Sequence, residues 1–222
     1  MTALLGYQLS LLARSQRWIA PGILYVAVLA VGVQSGQPVL DSLGYGSAAL
    51  LPAAAWLVRV CVTNEPPAAR HCASAAVGPR RVHLAALLTA FGCTALVGTA
   101  GTVFIVLISR GTSTSGAVVV PPLAAAAAGL LAVLACTLVG TAVGALCNRP
   151  LLRGTGWAVA LTALGALLAL VTAGSPARSA VTGLVSGSDS GTVAFALVPT
   201  AAALLLAGTA AAVACALAAR RD

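Results

Sequence analysis

The sequence contains no lysine, and only Asp41, Glu65, Asp189 and Asp222 of its 222 residues are acidic. Aromatic residues make up 4% and charged residues 7%, against 60% hydrophobic. A soluble domain carries about a quarter charged residues. So little charge cannot clothe a surface in water, and the bulk of the chain must face lipid. Without lysine there is no P-loop to hold a nucleotide phosphate and no Schiff-base nucleophile. There is also no GxSxG, and no CxxC among Cys61, Cys72, Cys93, Cys136, Cys147 and Cys215. The cysteines read as small apolar residues or as part of a reduced loop. Only His71 and Cys72 are adjacent, which is little for a metal.

What charge there is comes from twelve arginines, for a net +8. They lie at the ends of apolar runs, which is a membrane pattern and not that of a nucleic-acid-binding protein. A bilayer core of about 30 Å needs roughly 20 apolar residues in a helix. Six runs qualify as spans, at about 18–33, 43–62, 84–109, 118–147, 156–173 and 193–219. Pro121 and Pro122 open the fourth, while Pro52 and Pro199 are expected to kink the second and sixth. With six spans the loops alternate. Arg14, Arg17, Arg59, Arg70, Arg80, Arg81, Arg149, Arg153, Arg220 and Arg221 fall on one side, and Arg110 and Arg178 on the other. The positive-inside rule makes the first side cytoplasmic, with both termini inside, in a multi-pass protein of the cell membrane. The N-terminus reads as a retained first span, since "VGVQSGQPVL" is a poor cleavage site. Ahead of it, 4–17 reads as an interfacial helix, with Leu4, Leu5, Leu9, Leu11, Leu12 and Trp18 on one half and Ser10, Arg14 and Arg17 on the other, the alternative being a plain cytoplasmic extension of the first span.

No acid and no histidine lies deep in a span, which argues against proton- or cation-coupled transport. Interior polarity is confined to Thr, Ser, Gly and Cys, as in Thr94–Thr102 and in Thr137–Ala145 with its Gly140 and Gly144. These read as helix-packing faces or as a neutral translocation surface. The serines of "SGSDSG" fall outside and both histidines inside, so nucleophile and base stay apart.

The stretch 63–85, "TNEPPAARHCASAAVGPRRVHLA", concentrates polarity between two apolar runs. Glu65-Pro66-Pro67 stops the second span. Ala68–Val77 has no breaker and predicts a short helix, and Gly78-Pro79 ends it. Arg80 and Arg81 then anchor the third span. Taken alone, the stretch is either a docking element or an ordinary positive-inside connection.

Glu65, "AARHCASAAV" and "GPRRVHLAALL" resemble the loop between spans two and three of permeases of the exporter-type (type 2) ATP-binding-cassette (ABC) family, and the six-span layout resembles theirs over nearly the whole chain. The resemblance implies an all-α integral membrane protein, with an elbow helix, a coupling helix at 64–82, and partial re-entry of the extracytoplasmic loop 174–191. It implies a separate nucleotide-binding ATPase seated on Glu65, Arg70, His71, Gly78, Pro79, Arg80 and Arg81. It also implies a second permease, identical or homologous, lining a path for a small-molecule, peptide or lipid-like substrate. ATP and Mg would sit on the ATPase, and this chain would bind no cofactor and catalyse nothing.

Several residues keep a second reading. Glu65 is a docking acid or a solvated helix end, and Arg70 meets an acidic patch or lipid phosphates. His71 and His83 read as loop and interface residues, and Arg80 and Arg81 as topology determinants. Arg59 faces headgroups or a cytoplasmic vestibule. The alternatives for the whole chain are an ATP-independent channel or facilitator, and a membrane scaffold or regulatory subunit.

Overall fold

A computed structural model of the chain describes residues 1–149, 151 and 154–221, with Arg221 given by its backbone alone. Arg153 and Asp222, counted among the charges above, lie outside the described residues. The described residues form nine α-helices and no sheet: α1 (Thr2–Ser15), α2 (Ile19–Gly32), α3 (Val39–Asn64), α4 (Pro67–Val77), α5 (Pro79–Ile108), α6 (Pro122–Leu146), α7 (Thr155–Val171), α8 (Pro176–Ser190) and α9 (Leu197–Arg221).

Four helices, α3, α5, α6 and α9, are long and apolar enough to cross a membrane. A fifth crossing is formed if α7 and α8, which meet at 45° across a short break, count as one broken span. Of the six expected spans, four pass by length and composition, or five with the bent pair. The shortfall is α2. Its 14 residues extend about 21 Å at 1.5 Å per residue, less than a bilayer core of about 30 Å. Left-handed backbone at Gln16 (φ 54°) separates it from α1, and the chain turns extended at Val33, ahead of a positive-φ Gly36.

Two other expectations change. Residues 176–190, within the loop 174–191 expected outside, are helical, and with α7 they form a bent pair, a broken span or a re-entrant loop. Pro176 at the helix start costs nothing there, and Ala177, Ala180, Leu184 and Gly187 recur at helical spacing and are buried. α8 packs on α3 and α6. Pro199 is the third residue of α9, inside the first turn where no intrahelical N–H bond is lost, so it does not interrupt the span. Pro52 does lie inside α3.

The core is the contact between α3 and α6, whose apolar stretches are 67% and 61% buried against 28% for α5 and α9. The two backbones approach through glycines. A Cβ at Gly140 would stand 2.5 Å from the Leu51 carbonyl oxygen, and one at Gly144 would stand 2.7 Å from Val58 Cβ. Inside the helices, Thr89, Thr94, Thr102 and Thr141 each donate their hydroxyl to the carbonyl four residues back. Such hydroxyls are satisfied without a partner helix, which favours the packing reading of these threonines over a polar path. Leu96 and Leu107 of α5, Leu167 of α7 and Leu205 of α9 point outward, as lipid requires.

The turns cluster at two ends. At one, Val39 N–H bonds the Arg110 carbonyl, Gly36 N–H bonds that of Ile108, and Thr114 N–H bonds that of Ser188. At the other, the Asn64 amide donates to the Leu11 carbonyl and Arg59 bonds Asn148.

The glycine contact has a direct test. Gly140→Ala should destabilise the protein by about 1–3 kcal/mol, because backbone and not a flexible side chain must give way. Gly208→Ala on α9, with nothing within 4 Å, should be neutral or stabilise by up to about 1 kcal/mol through helix propensity. Thermal unfolding in detergent distinguishes the two.

Candidate functional site

Glu65 precedes Pro66, and a residue before proline is pushed out of the helical region. It ends α3 with φ −77° and ψ 127°. Pro67 then supplies the first residue of α4, where a missing N–H is harmless. A residue before proline breaks the helix again after Val77, with the opposite sign of φ. Gly78, at φ 88° and ψ 143°, caps α4 at one end and α5 at the other, with its N–H bonded to the Ser74 carbonyl at 2.9 Å. Pro79 opens α5. One glycine is thus the whole joint between two helices, in a conformation other residues rarely adopt.

α4 has no buried residue, and its backbone neighbours only α5. Ala68, His71, Cys72, Ala75 and Ala76 are exposed, at the i, i+3, i+4, i+7, i+8 spacing of one helix face. Ala69, Arg70, Ala73, Ser74 and Val77 form the half-buried opposite face. The outward face is narrow in side-chain bulk, with His71 its largest group.

Of the other expected residues, Arg80 and Arg81 are exposed in the first turn of α5. Positive charge there opposes the helix dipole, so their place is not explained by helix stability. Glu65 turns back onto α1 instead of pointing out. Gln8, only 3% exposed, donates its amide to Glu65 Oε2 at 3.4 Å. Burial first, then the neighbouring Glu65 carboxylate, raise the Tyr7 phenol above its ordinary pKa. With the Asn64 bond to Leu11, these contacts latch α1 to the end of α3. The sequence gives no hint of the latch, because Gln8 and Glu65 are 57 residues apart. His83 is 1% exposed inside α5, while His71 is exposed on α4, so the two histidines occupy different environments. Among the described residues no three His, Cys, Asp or Glu side chains gather as a metal ion would need.

The joint should be sensitive to a single methyl group. Gly78→Ala meets no atom within 4 Å, so any cost is backbone strain, on the order of 1–3 kcal/mol. The expected result is faster amide exchange across α4 with exchange in α3 and α6 unchanged.

Compared with known proteins, the chain matches no family model, no curated protein and no solved structure.

Proposed function

We propose that the chain is the membrane permease subunit of an ATP-driven exporter of the type-2 ABC kind, paired with a second permease and served by a separate ATPase that holds ATP and Mg. The observation that carries this reading is α4. A helix of 11 residues with no fully buried residue, whose backbone neighbours only α5, leaves one whole face open. Its outward stripe of alanines with His71 and Cys72 suits insertion into a groove on a partner.

The coupling follows from the joint. Force on α4 passes through Gly78 into α5, a single helix of 30 residues, about 45 Å long. α5 packs on α3, α6 and α9, so its tilt reaches the core. In this reading α2 is a sixth, short crossing, with Trp18 and Arg17 at its headgroup end accommodating the mismatch. The arginine-rich end is then cytoplasmic, as are both termini. Glu65 serves the partner indirectly, by holding α1 against the base of α4, while the seat itself is the α4 face with Arg80 and Arg81 beside it.

The test is co-purification. The tagged chain from its native membranes, in mild detergent, should bring down a nucleotide-binding ATPase. Ala75→Arg places a bulky charge on the outward face without touching the fold, and should reduce ATPase recovery about tenfold or more, as losses of a central interface contact do. Absence of any ATPase across several mild detergents overturns the reading. An ATPase retained by Ala75→Arg removes α4 as its seat.

A further inference from the structure

Arg59 lies within α3, and its Nη1 donates to Asn148 Oδ1 at 2.9 Å. Asn148 follows α6 and is 1% exposed. Its Nδ2 donates to the Gly144 carbonyl at 2.8 Å and to Thr162 Oγ1 of α7 at 3.4 Å. One buried amide therefore fixes the guanidinium against three helices.

Beside Arg59 opens a cavity of about 290 Å³. Its walls include Arg17, Arg59 and Arg149, with Thr63, Asn148 and the first turn of α7; among the described residues no acid lines it. Three guanidinium groups create a field that needs an anion, and the helix N-terminus in the wall adds to it. The volume is at the lower limit of small-molecule pockets, roughly 300 Å³, enough for a phosphate and its substituents.

Arg59 also ends a second space. A groove of about 320 Å³ runs from it along Trp56 and Pro52 of α3, between Leu24 of α2 and Val159, Ala163 and Ala166 of α7. Pro52, Trp56 and Arg59 share one helix face at four- and three-residue steps, so the groove follows α3 for about 10 Å into the apolar layer. It exists because α2 and α7 both pack on α3 but not on one another.

We infer that the two spaces are one binding site for an anionic phospholipid, with the phosphate against Arg17, Arg59 and Arg149 and an acyl chain in the groove between α2, α3 and α7. A zwitterionic lipid would bring its cation to three arginines, with no acid among the described lining residues to receive it. A free phosphate would leave the groove unfilled. The inference needs only that these helices lie in a membrane, and its test involves no ATPase, so it stands or falls apart from the permease reading.

The experiment is native mass spectrometry of the full chain released from detergent, with phosphatidylglycerol and phosphatidylcholine of matched acyl chains at equal mole fraction. Phosphatidylglycerol should be retained at least about tenfold better, and Arg17→Gln plus Arg149→Gln should lower its retention by about tenfold or more, the scale of two arginine contacts with an anionic lipid surface. Ala163→Trp leaves every arginine in place and fills the groove, and should lower retention comparably. It decides the matter alone if the double variant does not fold. Equal retention of the two lipids overturns the site. So does inorganic phosphate displacing the lipid while Ala163→Trp has no effect, which marks a free-phosphate site. Disulfide cross-linking of two copies through Ala163→Cys also overturns it, since the groove is then an interface between chains.

Discussion

The fold depends on how closely the backbones of α3 and α6 approach. In lipid, apolar side chains gain nothing by leaving one hydrocarbon for another, so association rests on contact at short range. Gly140 and Gly144 remove the Cβ atoms that would keep α6 away from Leu51, Ala54, Ala55 and Val58. Gly129 does the same for Leu43 further along the same pair of helices. With α3 and α6 joined, α5, α8 and α9 pack around them, and α2 and α7 lie against α3. Thr89, Thr94 and Thr141 bond their own helix, so the α3–α6 contact rests on shape more than on polar bonds between helices.

Polarity is pushed to the two ends and differs between them. At the arginine-rich end the polar side chains are tied to distant parts of the chain: Gln8 to Glu65, Asn64 to Leu11, Arg59 to Asn148. At the other end the bonds are mainly backbone ones between turns, with Thr114 and Ser188 joined through their hydroxyls as well. The first end is thus built from long side chains that span gaps between helices, and it is there that α4 projects and the three-arginine cavity opens. An exposed element on a side-chain-braced base can be pushed without first breaking the α3–α6 contact.

Helix positions were legible because each follows from local chemistry. The prolines at 66, 67, 79, 121 and 122 mark starts, Gly78 marks a joint, and apolar runs of sufficient length mark α3, α5, α6 and α9. The sequence predicts a helix at Ala68–Val77 and the structure has one at Pro67–Val77. α8 was not legible as a helix, because its burial comes from small residues such as Ala177, Ala180 and Gly187, which score weakly as apolar yet pack tightly. Helix length alone supports four or five of the six expected spans, and α2 falls short for a related reason: hydropathy reports which residues tolerate lipid, not where the backbone stops being helical. The α1 latch and the Arg59–Asn148 bond join positions 57 and 89 apart, and no periodicity carries such information.

The short α2 and the groove beside α3 have one origin. A helix of 14 residues whose backbone neighbours α3 alone cannot also reach α7, so α3 keeps an uncovered face along Pro52 and Trp56. A water-soluble protein would close that gap with side chains, since exposed apolar surface costs about 25 cal/mol per Å² there. In a bilayer the gap costs nothing if a lipid chain fills it, and a chain that enters places its headgroup at the level where Arg17, Arg59 and Arg149 stand. Arg59 fits that arrangement because Asn148 holds it in place: an arginine free to snorkel would reach bulk water, whereas one fixed to three helices stays at the mouth of the groove. The same short α2 that does not qualify as a span by length leaves open the face along which a lipid chain would bring its headgroup to the arginines.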